Sequence, residues 1–84
     1  MNTETIMAIR ASKRREVADA LQGVLTEFGC NIKMRLGLHQ AGDVCSEEGL
    51  ILLQLVDAEE VGAIKALEDA LAKIDGIRFK TIQF

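Results

Sequence analysis

The sequence predicts an α+β sandwich in which a four-stranded antiparallel sheet carries two helices on one face. Two segments with helical periodicity and four short aliphatic segments lead to this prediction, because they alternate in the order βαββαβ. That order is typical of a ferredoxin-like sandwich with strand order 4-1-3-2, in which the first and third strands are central. We expect residues 1–84 to form a single domain.

Four segments have the composition of strands, namely residues 3–10, 31–38, 49–56 and 77–84. The second alternates between apolar residues and polar residues or glycine, as a half-buried strand does. The third reads GLILLQLV and is apolar at nearly every position. An antiparallel strand with one face in water should alternate, so this strand indicates that both of its faces are covered.

Each predicted helix carries one apolar stripe with steps of three and four residues. The first stripe consists of Val17, Leu21, Val24, Leu25 and Phe28, and the second of Val61, Ile64, Leu67, Leu71 and Ile74. Ser12 is expected to cap the first helix, and Gly29 to end it in a left-handed conformation. For the second helix, we expect a capping box of Asp57 and Glu60, with Gly76 at the end.

The apolar third strand predicts that the chain assembles with copies of itself. A chain of 84 residues buries only about 60–65% of the surface that its unfolded form exposes, and small domains often gain stability by oligomerising. We expect a homodimer or homotetramer whose interface is the sheet face away from the helices, formed by Ile51, Leu53 and Leu55. The alternative is an apolar patch tolerated on a monomer.

Composition excludes several classes of function. A net charge of −3 argues against direct binding of nucleic acid, and the first and third strands lack the aromatic residues of RNA-recognition domains. No apolar run is long enough for a membrane span, and the first residues do not resemble a signal peptide. We therefore expect a cytoplasmic protein with free thiols that contacts no membrane.

The turn between the first strand and the first helix, SKRRE, is a candidate anion site. Lys13, Arg14 and Arg15 crowd the helix start, where the helix dipole disfavours cations. Free N–H groups and basic side chains together suit a phosphate or carboxylate, so Arg10, Ser12 and these three residues are predicted to bind a small anionic effector. Alternatively, the side chains point into water or pair with glutamates of a neighbouring subunit.

His39 and Cys45 are the candidate metal ligands, because imidazole and thiolate both bind transition metals. Two ligands do not complete a site, so the predicted metal would be shared between subunits. The alternative is a simple connecting loop in which Cys45 is a small filler. No intrachain disulfide with Cys30 is expected, because the two strand starts lie roughly 25 Å apart.

No catalytic constellation is recognisable. The sequence has no CxxC pair and no phosphate-binding GxxxxGK[ST] loop, and nothing pairs His39 with a nucleophile. We therefore expect a protein without enzymatic activity. The alternative is an enzyme in which His39 or Cys45 reacts.

Several segments are similar to a known family. They are EVADALQGVLTEFG, RLG at Arg35–Gly37, GLILLQLV and VGAIKALEDALAKIDGIRFKTI. With them the chain resembles the iron-only hydrogenase system regulators, small ACT-like proteins similar to the C-terminal domain of nickel-responsive regulators. The resemblance covers nearly the whole chain and rests mostly on fold motifs.

The resemblance implies a stand-alone regulatory or sensing domain that forms homo-oligomers. ACT-like domains typically bind small effectors at subunit interfaces near the first strand–helix turn. The nickel-responsive relatives place several His ligands and a Cys near the central hairpin, at a tetramer interface. We therefore expect a domain that binds a small effector or a metal where subunits meet, linked to hydrogenase metabolism. The alternative is a structural protein–protein interaction module without a ligand.

Overall fold

The computed structural model describes residues 4–38, 48–56 and 62–84. These segments contain six main elements in the predicted order βαββαβ. They are β1 (Thr5–Ser12), α1 (Arg15–Glu27), β2 (Ile32–Leu38), β3 (Glu48–Leu55), α2 (Ala63–Ala72) and β4 (Ile77–Gln83), with a short 3₁₀ turn at Gly29–Asn31. No helix of the described segments is long and apolar enough to cross a membrane.

The four strands form one antiparallel sheet in the order β2-β3-β1-β4, which confirms the predicted strand order. The register aligns Met7 of β1 with Leu53 of β3 on one side and with Thr81 of β4 on the other. Thr81 also donates a hydrogen bond from Oγ1 to Oε2 of Glu68, at 2.7 Å, which ties β4 to α2.

The core lies between the sheet and the helices and is almost entirely aliphatic, as the composition predicts. Alternate residues of β1 and β3 meet the helix stripes there. The helical periodicity is confirmed in α1 and α2, while Val61 of the second predicted stripe lies outside the described residues. The buried cluster consists of Met7, Ile9, Ala11, Val17, Leu21, Leu25, Leu53, Leu55, Leu67 and Leu71. Phe28 and Phe79 pack against its margin. The four central side chains of β1 and β3 are completely shielded from water.

The predicted cap of α1 is wrong. Ser12 is the last residue of β1, and α1 begins at Arg15 without a side-chain cap. The backbone N–H of Ser12 donates to the carbonyl of Gly76 at 2.9 Å, which extends the pairing of β1 to the turn before β4. This contact between residues distant in sequence holds Ser12 in the strand.

Of the two glycines expected to end the helices, only Gly76 has a left-handed conformation, and it does not end its helix either, because α2 stops at Ala72 with Lys73 as its C-cap. Among the glycines of the described segments, positive φ angles occur at Gly62 (92°) and Gly76 (98°). The prediction for Gly29 is therefore wrong, since α1 ends in the 3₁₀ turn instead, a common ending for a helix. Gly62 precedes α2, and the predicted capping box of Asp57 and Glu60 lies outside the described residues.

The assignment of Ile51, Leu53 and Leu55 to the outer face of the sheet is also corrected. Leu53 and Leu55 are 0% exposed because they lie beneath the helices of the same chain, and Ile51 packs against the same core. Successive side chains of a strand point to opposite faces, so the outer face of β3 carries Leu50 and Leu52. A strand that is apolar on both faces gives no signal by which to choose between them.

Candidate functional site

The sheet face away from the helices, called the open face below, is the first candidate surface. Residues aligned across neighbouring strands share a face, so the register defines its members. They are Ile6, Ala8 and Arg10 of β1; Met34 and Leu36 of β2; Leu50, Leu52 and Gln54 of β3; and Arg78, Lys80 and Ile82 of β4. None of these residues belongs to the buried core.

Most of the open face is apolar and remains in contact with water. Met34 is 51% exposed, Leu36 46% and Ile82 55%. Leu52 of β3 is aligned with Leu36 of β2 on one side and with Ala8 of β1 on the other. Leu52 and Ala8, which lie on the two central strands, are only half-buried. An apolar surface therefore runs across all four strands, and surfaces of this kind mark interaction sites.

Of the charged groups on the open face, Arg10 and Arg78 lie toward one end of the sheet, whereas Lys80 is aligned with Ala8 near the middle of β1. Arg10 is aligned with Arg78, so this corner is basic. At the other end Glu4, directly before β1, accepts a hydrogen bond through Oε1 from Nε2 of Gln54 at 2.8 Å. Two arginines therefore lie toward one end of the open face, and Glu4 lies at the other.

The turn between β1 and α1 is the second candidate surface. It is called the basic turn below and consists of Ser12, Lys13, Arg14 and Arg15. Oγ of Ser12 accepts hydrogen bonds from the backbone N–H of Arg14 at 3.2 Å and from its Nε at 3.3 Å. The Arg14 guanidinium also pairs with Glu16 at 3.4 Å, and both side chains are largely exposed. Exposed ion pairs contribute little stability, so this pair can be exchanged for another anion at small cost.

The remaining cations of the turn are solvent-exposed at the start of α1. Lys13 and Arg15 are both exposed, and the Lys13 side chain extends toward Gly49 of β3. On the opposite side, the turn packs closely on Gly76, where an added Cβ would lie 3.1 Å from Cγ2 of Val17 and 3.4 Å from an Arg14 terminal nitrogen. The basic turn is therefore supported by the turn that precedes β4.

The structure divides the predicted anion pocket. Ser12, Lys13, Arg14 and Arg15 stay together at the turn, in or beside the first turn of α1. Arg10 lies on the open face, whereas α1 packs on the other side of the sheet. Sequence reasoning missed this separation, because β1 is apolar on both faces and its alternation does not show which face holds Arg10.

His39 and Cys45 lie outside the described residues, so the shared metal site stays a prediction. Within the described segments, no group of three or more His, Cys, Asp or Glu side chains is placed to hold a metal ion. Cys30 is an exposed free thiol.

The segment that contains His39 and Cys45 is bounded by strand ends near the basic turn. β2 ends at Leu38, and β3 begins at Glu48, which is aligned with Ser12 of β1. Sequence reasoning treated the two candidate sites as separate. The antiparallel strand order is the signal that could have placed their flanking residues at one end of the sheet.

The sequence matches no family model and no curated protein, but solved structures share its fold. An uncharacterized protein from Thermotoga maritima is 24% identical with a TM-score of 0.83, over 100% of this chain and 99% of that one. The ACT domain of GTP pyrophosphokinase from Chlorobium tepidum is 14% identical with a TM-score of 0.68, over the full length of both chains.

A third similar structure is the regulatory subunit of aspartate kinase from Thermus thermophilus in its ligand-free form. It is 18% identical with a TM-score of 0.59, and the match covers 96% of this chain and 50% of that one. At these identities the likeness shows the fold alone. The chain therefore has an ACT-like, ferredoxin-like fold.

Proposed function

We propose that this chain is an ACT-like regulatory domain, without enzymatic activity, that acts as a homo-oligomer and binds a small anionic effector at a subunit interface. The observation that carries the proposal is the open face, with Met34, Leu36 and Ile82 each about half exposed. Its fold is also that of a domain of GTP pyrophosphokinase and of a regulatory subunit of aspartate kinase, which supports a regulatory role.

Covering the open face favours assembly. Burying a Leu, Ile or Met side chain completely stabilises a protein by about 1.5–3 kcal/mol, so covering the exposed half of one contributes roughly 1 kcal/mol. Leu50 and Leu52, which are half-buried, would add to this. A second subunit is the simplest cover for a chain that carries the same surface on every copy.

The basic turn supports the anionic character of the effector. α1 is 13 residues long and starts without a side-chain cap, so its first N–H groups and its dipole favour an anion. Lys13 and Arg15 are exposed at the same place, and the contacts of Arg14 with other described residues are weak and exposed. A carboxylate or phosphate would convert three unfavourably placed cations into its binding groups.

The proposal also includes a transition metal that is shared between subunits and a link to hydrogenase metabolism. The resemblance to the iron-only hydrogenase system regulators supports a regulatory role linked to hydrogenase metabolism. His39 and Cys45 would supply imidazole and thiolate ligands from two or more subunits, because a single chain has one histidine. The flanking strand ends lie beside the basic turn, so metal and anion would act on neighbouring parts of the assembly.

The effector site is tested by thermal unfolding with inorganic phosphate and with small dicarboxylates. We expect phosphate or a dicarboxylate to raise the melting temperature of the natural protein, because a ligand that binds only the folded state stabilises it. Replacing both Lys13 and Arg15 by Gln should remove the rise. Lys73→Gln, which removes an exposed cation beyond the end of α2, is the matched control and should keep it. An equal rise in all three proteins would contradict the site.

A structural interaction module is the second candidate function, and the open face favours it too, since a protein partner needs no ligand. This candidate predicts that the Lys13 and Arg15 replacements have no effect on partner binding. Replacing Leu52 by Glu would then release the partner. The two candidates therefore differ in whether the basic turn matters.

A further inference from the structure

We infer that the outer edge of β2 binds an extended segment of another protein, in which apolar residues alternate with aspartate or glutamate. The segment would lie beside β2 as an additional strand and share backbone hydrogen bonds with it. This edge is distinct from the open face and the basic turn, on which the proposed function rests.

β2 is the less covered of the two edge strands. In the described sheet, β2 pairs only with β3, and β4 pairs only with β1. Residues 33–37 of β2 are all exposed, whereas Ile77, Phe79 and Thr81 of β4 are half-buried. An edge strand presents backbone N–H and C=O groups that can pair with a further strand. Because α2 protects β4, β2 is the edge that is open to an additional strand.

The two faces of β2 differ in chemistry. Met34 and Leu36 lie on the open face and are 51% and 46% exposed. Arg35 is aligned with Leu53 and therefore lies on the helix side. Successive side chains of an added strand alternate between the same two faces. Residues beside Met34 and Leu36 should therefore be apolar, and those beside Arg35 acidic.

The positive charge on the helix side of β2 favours an acidic segment. Nη1 of Arg35 donates a hydrogen bond to Oε1 of Gln22 at 3.1 Å, an exposed contact with a neutral group that leaves the guanidinium charge uncompensated. Lys33, at the bulge between Ile32 and Met34, adds a second cation nearby. Opposite charges on neighbouring strands stabilise their pairing.

The same cations disfavour a second copy of this chain at this edge. Antiparallel pairing that uses the whole of β2 (Ile32–Leu38) is centred on Arg35, so it would place Arg35 opposite the Arg35 of the other copy. Centring the pair on Met34 instead would place Lys33 opposite Arg35. Centring it on Leu36 would leave the two arginines as diagonal neighbours on one face. Like charges that face each other across strands are destabilising, so a segment of opposite charge fits better.

Fluorescence anisotropy with labelled synthetic peptides tests the inference. The first peptide is short and alternates valine with glutamate. The second has lysine in place of glutamate, and the third is the glutamate peptide with alternate backbone nitrogens methylated. We expect the first peptide to bind, and the other two to bind at least about tenfold more weakly, since they lose the charge pairs or the backbone hydrogen bonds. Equal binding of all three, or no binding of the first, would overturn the inference.

Charge reversal on each edge strand identifies which edge is used. Arg35→Glu should weaken binding of the glutamate peptide about fivefold and strengthen binding of the lysine peptide, because the cross-strand charge pairs change sign. Lys80→Glu, at an exposed position of β4, is the matched control and should leave both affinities unchanged. Equal effects of the two substitutions would overturn the assignment to β2.

Amide hydrogen exchange, followed by NMR, locates the peptide without any substitution. The glutamate peptide should slow the exchange of outward-pointing amides of β2 and leave those of β4 unchanged. Slowing confined to β4 would overturn the inference. So would protection of β2 that rises with protein concentration and excludes the peptide, because a second copy would then occupy this edge. That last result would leave the proposed homo-oligomer intact.

Discussion

At the residue scale, Gly76 contacts both the end of β1 and the basic turn, which is the candidate effector site. Its φ of 98° lies in the left-handed region, and its lack of a side chain lets the turn before β4 approach Val17 and Arg14. Its carbonyl also accepts the hydrogen bond that holds Ser12 in β1. One glycine therefore fixes where β1 ends and where the basic turn begins.

Replacing Gly76 by Ala should destabilise the protein by about 1–3 kcal/mol, because the new Cβ adds backbone strain and a 3.1 Å approach to Val17. Gly23→Ala is the matched control: this glycine lies within α1 with nothing within 4 Å of an added Cβ. It should stabilise the protein by about 0.5–1 kcal/mol. Urea unfolding of both variants measures the difference, and changes of the same sign would contradict this account.

At the element scale, the two faces of β3 have different roles. Leu53 points into the core of its own chain, and Leu52 points to the open face. The substitutions Leu52→Glu and Leu53→Glu are chemically identical and one residue apart. A difference between the two variants therefore reports which face of the sheet the new carboxylate occupies.

Leu52→Glu should leave a folded monomer, since its carboxylate can reach water once the second subunit is gone. Leu53→Glu should unfold the protein at ordinary temperatures, because it places an unpaired charge in the core, a change that costs several kcal/mol. Circular dichroism and sedimentation velocity on both variants check this. An oligomeric Leu52→Glu protein would show that the open face is not the interface.

The elements also show how far the sequence alone leads. The helix stripes and the strand order could be predicted, because period and element order determine them locally. The face of β3 could not, because a strand that is apolar on both sides has no alternation to read. The end of β1 could not either, since Ser12 is held by Gly76, which is distant in sequence. For the candidate site, the basic residues of the turn were recognisable, but the separation of Arg10 from them depends on the register of the sheet.

At the scale of the whole molecule, the proposal couples assembly to effector binding. An effector held where subunits meet binds the oligomer better than the monomer, so it must also strengthen the oligomer by the same free energy. A domain of 84 residues with a small aliphatic core gains stability from both events. The domain could in this way report an effector concentration as a change in its assembly.

The measurement that tests the proposed homo-oligomer most directly is native mass spectrometry of the protein purified from cells grown with ordinary trace metals. It reports the number of subunits and any retained anion or metal together. We expect a homo-oligomer, with retained mass in a fixed ratio to subunits if His39 and Cys45 hold a metal between chains. A bare monomer at tens of micromolar would contradict the account, since the open face would then have no second subunit and the effector no interface.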